Sequence, residues 1–274
     1  MTRELPSLEI DGVTVRFGGL VAVSEVTLTA PAGQITGLIG PNGAGKTTTF
    51  NACTGVVPAA SGSVRLGRTV LDGHGTSKRA ARGLGRTFQR MELFDSMTVV
   101  ENVELGVESF LAAGRPFGQM FCPPGERRKI AARAADALEL CGITGLARRT
   151  AGDLSTGQRR LVELARAIAT PFSFLLLDEP SSGLDPEETE KFGQILLDFV
   201  ADRGVGILLV EHDMALVSSI CSYIYVLDFG RLIHQGPTAE ALASPIVLEA
   251  YLGTESSALD SAAESIDGAE AAHA

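Results

Sequence analysis

The sequence predicts an α/β protein with a largely parallel sheet, an antiparallel β pair before it and a helical insert. Three observations predict this class. Apolar residues recur with a period of two over the first 30 residues, and buried strands alternate with helices from residue 34 onward. Residues 98–170 are rich in Ala, Leu, Glu and Arg at helical spacing. Because ligands of parallel sheets bind at the carboxyl ends of the strands, polar residues there are the first candidates for a site.

The elements can be assigned in chain order. The alternating N-terminal run breaks at Gly18-Gly19, which predicts two antiparallel strands. The insert is expected to hold helices separated by a loop that contains Pro116, Pro123 and Pro124. The other predicted strands are residues 34–39, 63–66, 85–88, 174–178, 206–211, 223–227 and 231–234, and the other predicted helices are 48–53, 186–202 and one from 214.

The charge balance is acidic, with 23 basic residues against 33 acidic ones and a net charge of −10. This balance argues against a general nucleic-acid binder and against electrostatic attachment to anionic lipid. Residues 254–274 have little to bury and are expected to be a disordered acidic tail. The five acids of this tail, which has no Lys or Arg, are Glu255, Asp260, Glu264, Asp267 and Glu270.

The cysteines and the apolar runs favour a cytoplasmic protein. Cys53, Cys122, Cys141 and Cys221 form no C-x-x-C pair, so buried thiols in a reducing compartment are expected rather than a metal or redox site. The N-terminus has no apolar core like that of a signal peptide. No apolar run approaches the length of a membrane span, so any membrane contact is expected to go through another protein.

The stretch from Gly40 to Thr47 fits the phosphate-binding pattern G-x-x-x-x-G-K-[ST] and lies between a predicted strand and helix. Glycines at 40, 43 and 45 let several N–H groups point at one anion. Lys46 would place its charge between the β- and γ-phosphates of a nucleoside triphosphate, and the Thr47 hydroxyl could ligate Mg²⁺. The alternative is a glycine-rich turn that only joins a strand to a helix.

A second motif, Phe-Leu-Leu-Leu-Asp178-Glu179-Pro180, ends a buried strand in two acids. Asp178 is placed to hold the water shell of Mg²⁺, and Glu179 to accept a proton from an attacking water. The alternative is that the two acids only cap the following helix. A phosphate loop elsewhere in the same chain favours the catalytic interpretation.

Five motifs in family order resemble those of the ABC-type ATPases. Besides the two acids, Leu154-Ser-Thr-Gly-Gln158 resembles the LSGGQ signature, and Ser181-Ser-Gly-Leu-Asp185 resembles the D-loop. His212 matches the switch histidine and Gln89 the Q-loop glutamine. The resemblance covers residues 7–253 and implies a P-loop NTPase core of ABC type, with an N-terminal antiparallel β subdomain and an α-helical subdomain inserted at about 98–170.

This resemblance implies a role for each matching residue. His212 would hold Glu179 and the water in line with the γ-phosphate, and Gln89 would contact Mg²⁺ or the water. Ser155 and Gly157 of one chain would complete the other chain's nucleotide site, so a closed dimer is implied. Thr156 departs from the common glycine, which could slow closure. The remaining expected nucleotide contacts are Asn42, Gly43, Ala44, Gly45, Thr48, Gln158 and Asp185.

Phe17 keeps two interpretations. In the family an aromatic residue at this point stacks on adenine, and such stacking is favourable. Phe17 also continues the apolar face of Val13 and Val15.

Several segments resemble the ATPases of branched-chain (hydrophobic) amino-acid importers. That branch implies two membrane permeases, a second related ATP-binding subunit in a homo- or heterodimer, and a place on the cytoplasmic face of the membrane. Similar ATPases serve urea uptake and lipopolysaccharide export, and a soluble ABC-type ATPase acting on ribosomes or DNA is the rival class. The resembling segments are Arg16–Ala22, Arg86–Asn102, Val210–Met214, Ile224–Gly230 and Ala250–Gly253, with the insert at 107–130.

Overall fold

An antiparallel sheet forms at the N-terminus, as the period-two pattern predicted. The structure, a computed structural model, describes residues 6–87, 93–113 and 124–252. Strand β1 (Leu8–Phe17) pairs with β2 (Leu20–Ala30) on one side and with β4 (Ser61–Leu66) on the other. A short strand that the sequence did not predict, β5 (Thr69–Val70), extends the sheet in the order β2-β1-β4-β5.

A second sheet of six strands forms the centre of the described chain, in the order β10-β9-β3-β8-β7-β6. Only the β10–β9 pair is antiparallel, so the prediction of a largely parallel sheet is confirmed. The side chains of β3, β7 and β8 are entirely buried, which explains their continuous apolar runs. The bounds are β3 (Ile35–Ile39), β6 (Leu84–Arg86), β7 (Phe174–Asp178), β8 (Gly206–Val210), β9 (Tyr223–Asp228) and β10 (Arg231–Pro237).

The helices follow the prediction except at Pro124 and at three helices that were not predicted. Pro124 was expected in a loop, but it is the first residue of a helix, where proline's missing N–H costs nothing; Pro116 and Pro123 lie outside the described residues. Short helices at Thr76–Ala81 and Thr238–Leu242 were not predicted, and neither was a helix over residues 245–252. The helices are α1 (Lys46–Thr54), α2 (Thr76–Ala81), α3 (Val99–Ala113), α4 (Pro124–Leu140), α5 (Thr156–Ala169), α6 (Pro186–Arg203), α7 (Met214–Ile220) and α8 (Thr238–Leu242).

Two apolar cores cover the two faces of the parallel sheet. On one face, the sheet packs against α5, α6 and α7, and this cluster continues into the insert through Val103, Ala134 and Leu164. On the other face, Phe50 of α1 and residues such as Val26 of the N-terminal sheet form the second cluster. Helix α1 is therefore enclosed between the two sheets, and this position places its N-terminus at the edge where β3 ends.

The cysteines in the described residues are buried and free, as expected. Burial raises the pKa of Cys53, Cys141 and Cys221 to about 12, so these thiols are inert at neutral pH. Cys122 lies outside the described residues. Across the described ranges, no helix has the length and apolar character needed to cross a membrane.

Candidate active site

The phosphate loop turns between the end of β3 and the start of α1. At Gly40, φ is 149°, and a Cβ there would lie 2.0 Å from the Leu227 carbonyl oxygen. At Gly45, φ is 101°, and a Cβ would lie 2.9 Å from the Ala22 carbonyl oxygen. Only glycine fits these two positions, because other residues would clash with backbone atoms and would be strained at a positive φ. Gly45 is also the N-cap of α1, whose first N–H groups therefore face the loop.

Lys46 lies at the centre of this loop. Its Nζ donates to the carbonyl oxygens of Gly40, at 2.6 Å, and Pro41, at 2.9 Å, and the side chain is buried. Burial lowers the pKa of Lys46, while the nearby Glu179 and Asp178 carboxylates act in the opposite direction. The ammonium group is thus held beside the loop's own backbone and close to both predicted acids.

Asp178 ends β7 as a buried acid with its two oxygens in different environments. Oδ2 accepts a hydrogen bond from Arg86 Nη2 at 2.9 Å, whereas Oδ1 is buried with no partner among the described residues. Burial raises the pKa of Asp178, and the adjacent Arg86 opposes this shift. Because hard cations prefer oxygen ligands, an unpartnered carboxylate oxygen here fits the expected Mg²⁺ site.

Glu179 and His212 meet where β7 and β8 end. His212 Nε2 lies 2.7 Å from Glu179 Oε1. Glu179 has a positive φ of 48°, which is uncommon outside glycine, and its N–H donates to the Val210 carbonyl oxygen at 2.8 Å. The structure therefore brings the predicted base and the predicted switch histidine into direct contact.

A buried acid next to His212 was not predicted. Glu211 Oε1 accepts from the Ser181 N–H at 2.9 Å, and Oε2 accepts from the His212 N–H at 3.1 Å. Burial raises the pKa of Glu211, and the hydrogen bonds from Ser181 and His212 act against that shift. The side chain thus connects the predicted D-loop to the switch histidine. An acid at the end of the buried run GILLVE was the available sequence signal.

A cleft of about 450 Å³ lies over these groups. It brings together the phosphate loop, both catalytic candidates and an apolar rim formed by Leu20, Val21, Ala22 and Phe229. Phe17 is half-exposed and is not among the residues that line the cleft. The predicted residues that do line it are Asn42, Gly43, Ala44, Gly45, Lys46, Thr47, Thr48, Glu179 and His212.

Phe229 is the largest of the four rim residues, none of which was predicted at the site from the sequence. It is 86% exposed and has a positive φ of 43° in the turn between β9 and β10. The next residue, Gly230, holds this turn against the loop: its N–H donates to the Ala44 carbonyl oxygen at 3.0 Å, and its carbonyl oxygen accepts from the Ser24 N–H at 2.8 Å. A large apolar side chain between Asp228 and Gly230 was the only signal in the sequence.

The signature residues lie elsewhere. Ser155 is the N-cap of α5, and its side chain and that of Gln158 form a reciprocal capping box with each other's backbone N–H groups. Asp185 caps α6 in the same way with Glu188. Ser155, Gly157, Gln158 and Asp185 are not among the residues that line the cleft. Gln89 lies outside the described residues.

Tight packing connects the signature to the D-loop. A Cβ at Gly157 would lie 2.1 Å from Glu188 Oε1, so a larger residue would displace the α6 capping side chain. Thr156, the departure from the common signature, is near Gly183: a Cβ on that glycine would lie 3.3 Å from the threonine methyl group. The threonine is thus accommodated opposite a glycine with a φ of 84°.

Comparisons with known proteins agree with this geometry. A family model described as "ABC transporter" matches residues 23–182. The chain is 40% identical over 250 residues to the high-affinity branched-chain amino acid transport ATP-binding protein BraF of Pseudomonas aeruginosa, covering 90% of this chain and 98% of that protein. It is 39% identical over 250 residues to the corresponding protein LivG of Escherichia coli K12, with the same coverage of each chain.

Solved structures give the same result. An ATP-binding cassette of an ABC transporter in its ADP conformation is 28% identical with a TM-score of 0.79, covering 90% of this chain and 99% of that one. A nucleotide-free cassette from an ABC transporter is 28% identical with a TM-score of 0.77, covering 90% and 98%. The chain belongs to the ABC transporter family, as an ATP-binding and ATP-hydrolysing subunit whose cofactors are ATP and Mg²⁺.

Proposed function

We propose that this chain is the ATPase subunit of an importer for branched-chain or other hydrophobic amino acids. The observation that carries the proposal is the 40% identity to BraF over 98% of that protein's length. In this proposal the ATPase domain spans residues 7–253, with the helical subdomain at 98–170. The chain lies peripherally on the cytoplasmic face of the membrane, where its partners are permeases and a second ATP-binding subunit. No nucleic acid is involved.

The phosphate loop and the end of β7 together form the proposed site for ATP and Mg²⁺. The phosphates lie in the loop against Lys46 and the first N–H groups of α1, since this is where positive charge and donors converge. Thr47, Asp178 and Gln89 would hold Mg²⁺, which would neutralise charge on the phosphates. The unpartnered Asp178 Oδ1 supports this assignment. The other loop contacts are Gly40, Asn42, Gly43, Ala44, Gly45 and Thr48.

Glu179 acts as the base, and His212 holds it in position. A base needs a fixed carboxylate next to the nucleophile, and the 2.7 Å contact with His212 Nε2 restricts Glu179 Oε1. The strained φ of Glu179 supports a functional position, because such strain persists where surrounding structure imposes it. Glu211 then ties the His212 N–H to the D-loop, so movement of either segment reaches the other.

Ser155, Gly157, Gln158 and Asp185 contribute to the nucleotide site of the second ATP-binding subunit. Their position at the N-termini of α5 and α6, away from the chain's own cleft, supports a role in trans. The nucleoside base contacts the apolar rim of the cleft. Phe229 is better placed for that contact than Phe17, because Phe229 lines the cleft and Phe17 does not.

Co-purification tests this proposal directly. Tagged Glu179→Gln protein would be purified with ATP from gently solubilised membranes of the native host, with ADP in place of ATP as the control. We expect to recover polytopic membrane proteins and a second ATP-binding subunit. The same subunits, reconstituted with wild-type chain in place of Glu179→Gln, should then show ATP-dependent uptake of radiolabelled leucine. Uptake of urea or movement of lipopolysaccharide instead would replace the substrate. Recovery of ribosomes or DNA without permeases would overturn the transporter role.

A further inference from the structure

Arg86 is a buried cation that was not among the site residues predicted from the sequence. It ends β6, and its side chain is 7% exposed. One guanidinium nitrogen, Nη2, donates to Asp178 Oδ2 at 2.9 Å. The other terminal nitrogen, Nη1, donates to Asn51 Oδ1 at 2.6 Å and to Thr54 Oγ1 at 3.3 Å. One planar group therefore bridges the acid at the end of β7 and the last turn of α1.

The surroundings explain why arginine suits this position. The guanidinium Cζ lies 5.7 Å from the centre of the Phe50 ring, a cation–π distance within the apolar core. Its location beside the last turn of α1 also places positive charge near the negative end of that helix. Lysine would bring the same charge but a single donor group, which cannot reach two partners on opposite sides.

The contact with Arg86 determines which oxygen of Asp178 is left to bind a cation. Arg86 occupies Oδ2, and Oδ1 has no partner in the described part of the chain. A free carboxylate could rotate about its last bond, whereas this hydrogen bond fixes the group so that one oxygen is reserved.

We propose that Arg86 is a positioning residue for the Mg²⁺ site. It orients Asp178, and it ties this acid through Asn51 to the helix that carries Lys46 and Thr47. The inference rests on the proposed role of Asp178 in holding Mg²⁺. Groups that orient a metal ligand typically contribute about 10–100-fold in metal affinity or activity.

The test compares Arg86→Met with Arg79→Met. Arg79 is buried against the same helix, where it donates to the carbonyl oxygens of Ala52 at 2.8 Å and Cys53 at 2.6 Å, but it has no contact with Asp178 among its hydrogen bonds in the described structure. The two variants therefore each remove a buried cation that hydrogen-bonds to α1. Dissociation constants for ATP would be measured in EDTA and at a series of Mg²⁺ concentrations, together with the Mg²⁺ dependence of ATP hydrolysis.

We expect Arg86→Met to raise the Mg²⁺ concentration for half-maximal binding enhancement by about tenfold or more, with ATP affinity in EDTA unchanged. Arg79→Met should leave that Mg²⁺ concentration unchanged even if the protein is less stable. Arg86→Lys is the second variant in case Arg86→Met does not fold, and it should give a smaller shift in the same direction because it keeps the charge without the bridge.

Two results would overturn the inference. One is a wild-type Mg²⁺ dependence of ATP binding in both Arg86 variants. If Arg86→Met does not fold, a wild-type Mg²⁺ dependence in Arg86→Lys alone has the same meaning. The other is an equal shift in Arg79→Met, which would indicate general loosening of α1. Asp178→Asn, measured in parallel, separates this inference from the proposed function. If Asp178→Asn leaves the Mg²⁺ dependence intact, the assigned role of Asp178 itself is wrong. If only Asp178→Asn changes it, Arg86 alone is misassigned.

Discussion

The phosphate-loop region and the signature region differ in where their polar groups point. In the first, Lys46, Glu179 and His212 converge on one cleft, and an oxygen of Asp178 has no protein partner among the described residues. In the second, the side chains of Ser155, Gln158 and Asp185 bond to the backbone of their own helices. The first region, the catalytic half, therefore directs polar groups into the cleft. In the second region, the signature half, these side chains already bond within their own helices. This difference supports our proposal that one chain binds the nucleotide through the first region, whereas the signature of a second chain completes the site.

The substitution that should change ATP hydrolysis most is at Glu179, the proposed general base. Glu179→Gln removes the proton acceptor but keeps the size of the side chain and a polar partner for His212. We expect hydrolysis to fall by on the order of 10²–10⁴-fold with ATP affinity retained. Phosphate release and equilibrium nucleotide binding would measure the two effects. Glu187→Gln, an exposed acid paired with Lys191 on α6, is the control and should hydrolyse ATP normally. Wild-type turnover in Glu179→Gln would remove Glu179 from the catalytic half.

Lys46→Ala tests the same half at the level of binding. The substitution deletes a buried ammonium group and its bonds to two loop carbonyls, so we expect ATP affinity to fall by about 10–100-fold, as for other charged hydrogen bonds of about 1.5–3 kcal/mol. Isothermal titration calorimetry would measure the change. Lys191→Ala removes an exposed lysine and should have no effect. Unchanged affinity in Lys46→Ala would contradict its contact with the phosphates.

Gly157→Ala addresses the signature half. The added Cβ would lie 2.1 Å from Glu188 Oε1, so the capping side chain of α6 must move. We expect normal ATP binding by the single chain but at least about tenfold weaker ATP-dependent dimerisation, since a shifted helix end loses a charged hydrogen bond. Light scattering in the Glu179→Gln background would measure dimerisation. Gly145→Ala, where a Cβ meets nothing within 4 Å, is the control.

Weaker ATP binding by the isolated Gly157→Ala chain would contradict a role of the signature in trans. The signature would then contribute to its own chain's site, and the division into two functional halves would have to be abandoned.

Phe229→Ala should change ATP affinity the least of these substitutions, and it tests which phenylalanine contacts the nucleoside base. Loss of an aromatic contact with the nucleoside base should weaken ATP binding by about 2–10-fold, which corresponds to about 0.5–1.5 kcal/mol. Binding of tripolyphosphate, which has no base, should not change, and Phe229→Tyr should restore ATP affinity. Phe17→Ala is the matched comparison. A larger loss in Phe17→Ala would return the base contact to Phe17.

Most of the fold and the catalytic half follow from local patterns. Continuous apolar runs predicted β3, β7 and β8 to within about a residue, because central parallel strands are buried on both faces. The phosphate loop and the two acids were predictable because each lies immediately after such a strand. Helices α2 and α8 and strand β5 were missed because they are short, so no apolar period marks them.

Contacts between distant segments were beyond the reach of sequence reasoning. Arg86 meets Asp178 across 92 positions, and Glu211 meets Ser181 across 30, so only the folded sheet brings each pair together. For the same reason the role of Phe229 was not predicted. Its position on the cleft depends on the hydrogen bond between Gly230, in the turn between β9 and β10, and Ala44, in the phosphate loop. Residues beyond the described ranges, Gln89 and the acidic tail among them, keep their predicted roles as predictions.

The buried cysteines have a practical consequence for measuring motion in this protein. A thiol with a pKa of about 12 is ionised in only on the order of one molecule in 10⁵ at pH 7, and the thiolate is the form that reacts with maleimides. Cys53, Cys141 and Cys221 should therefore stay unlabelled in the native protein. Replacing Cys122 alone would then give a background into which single dye positions can be introduced, for example on the exposed faces of α4 and α6. Distance changes between two such dyes could follow nucleotide-driven closure without rebuilding the core.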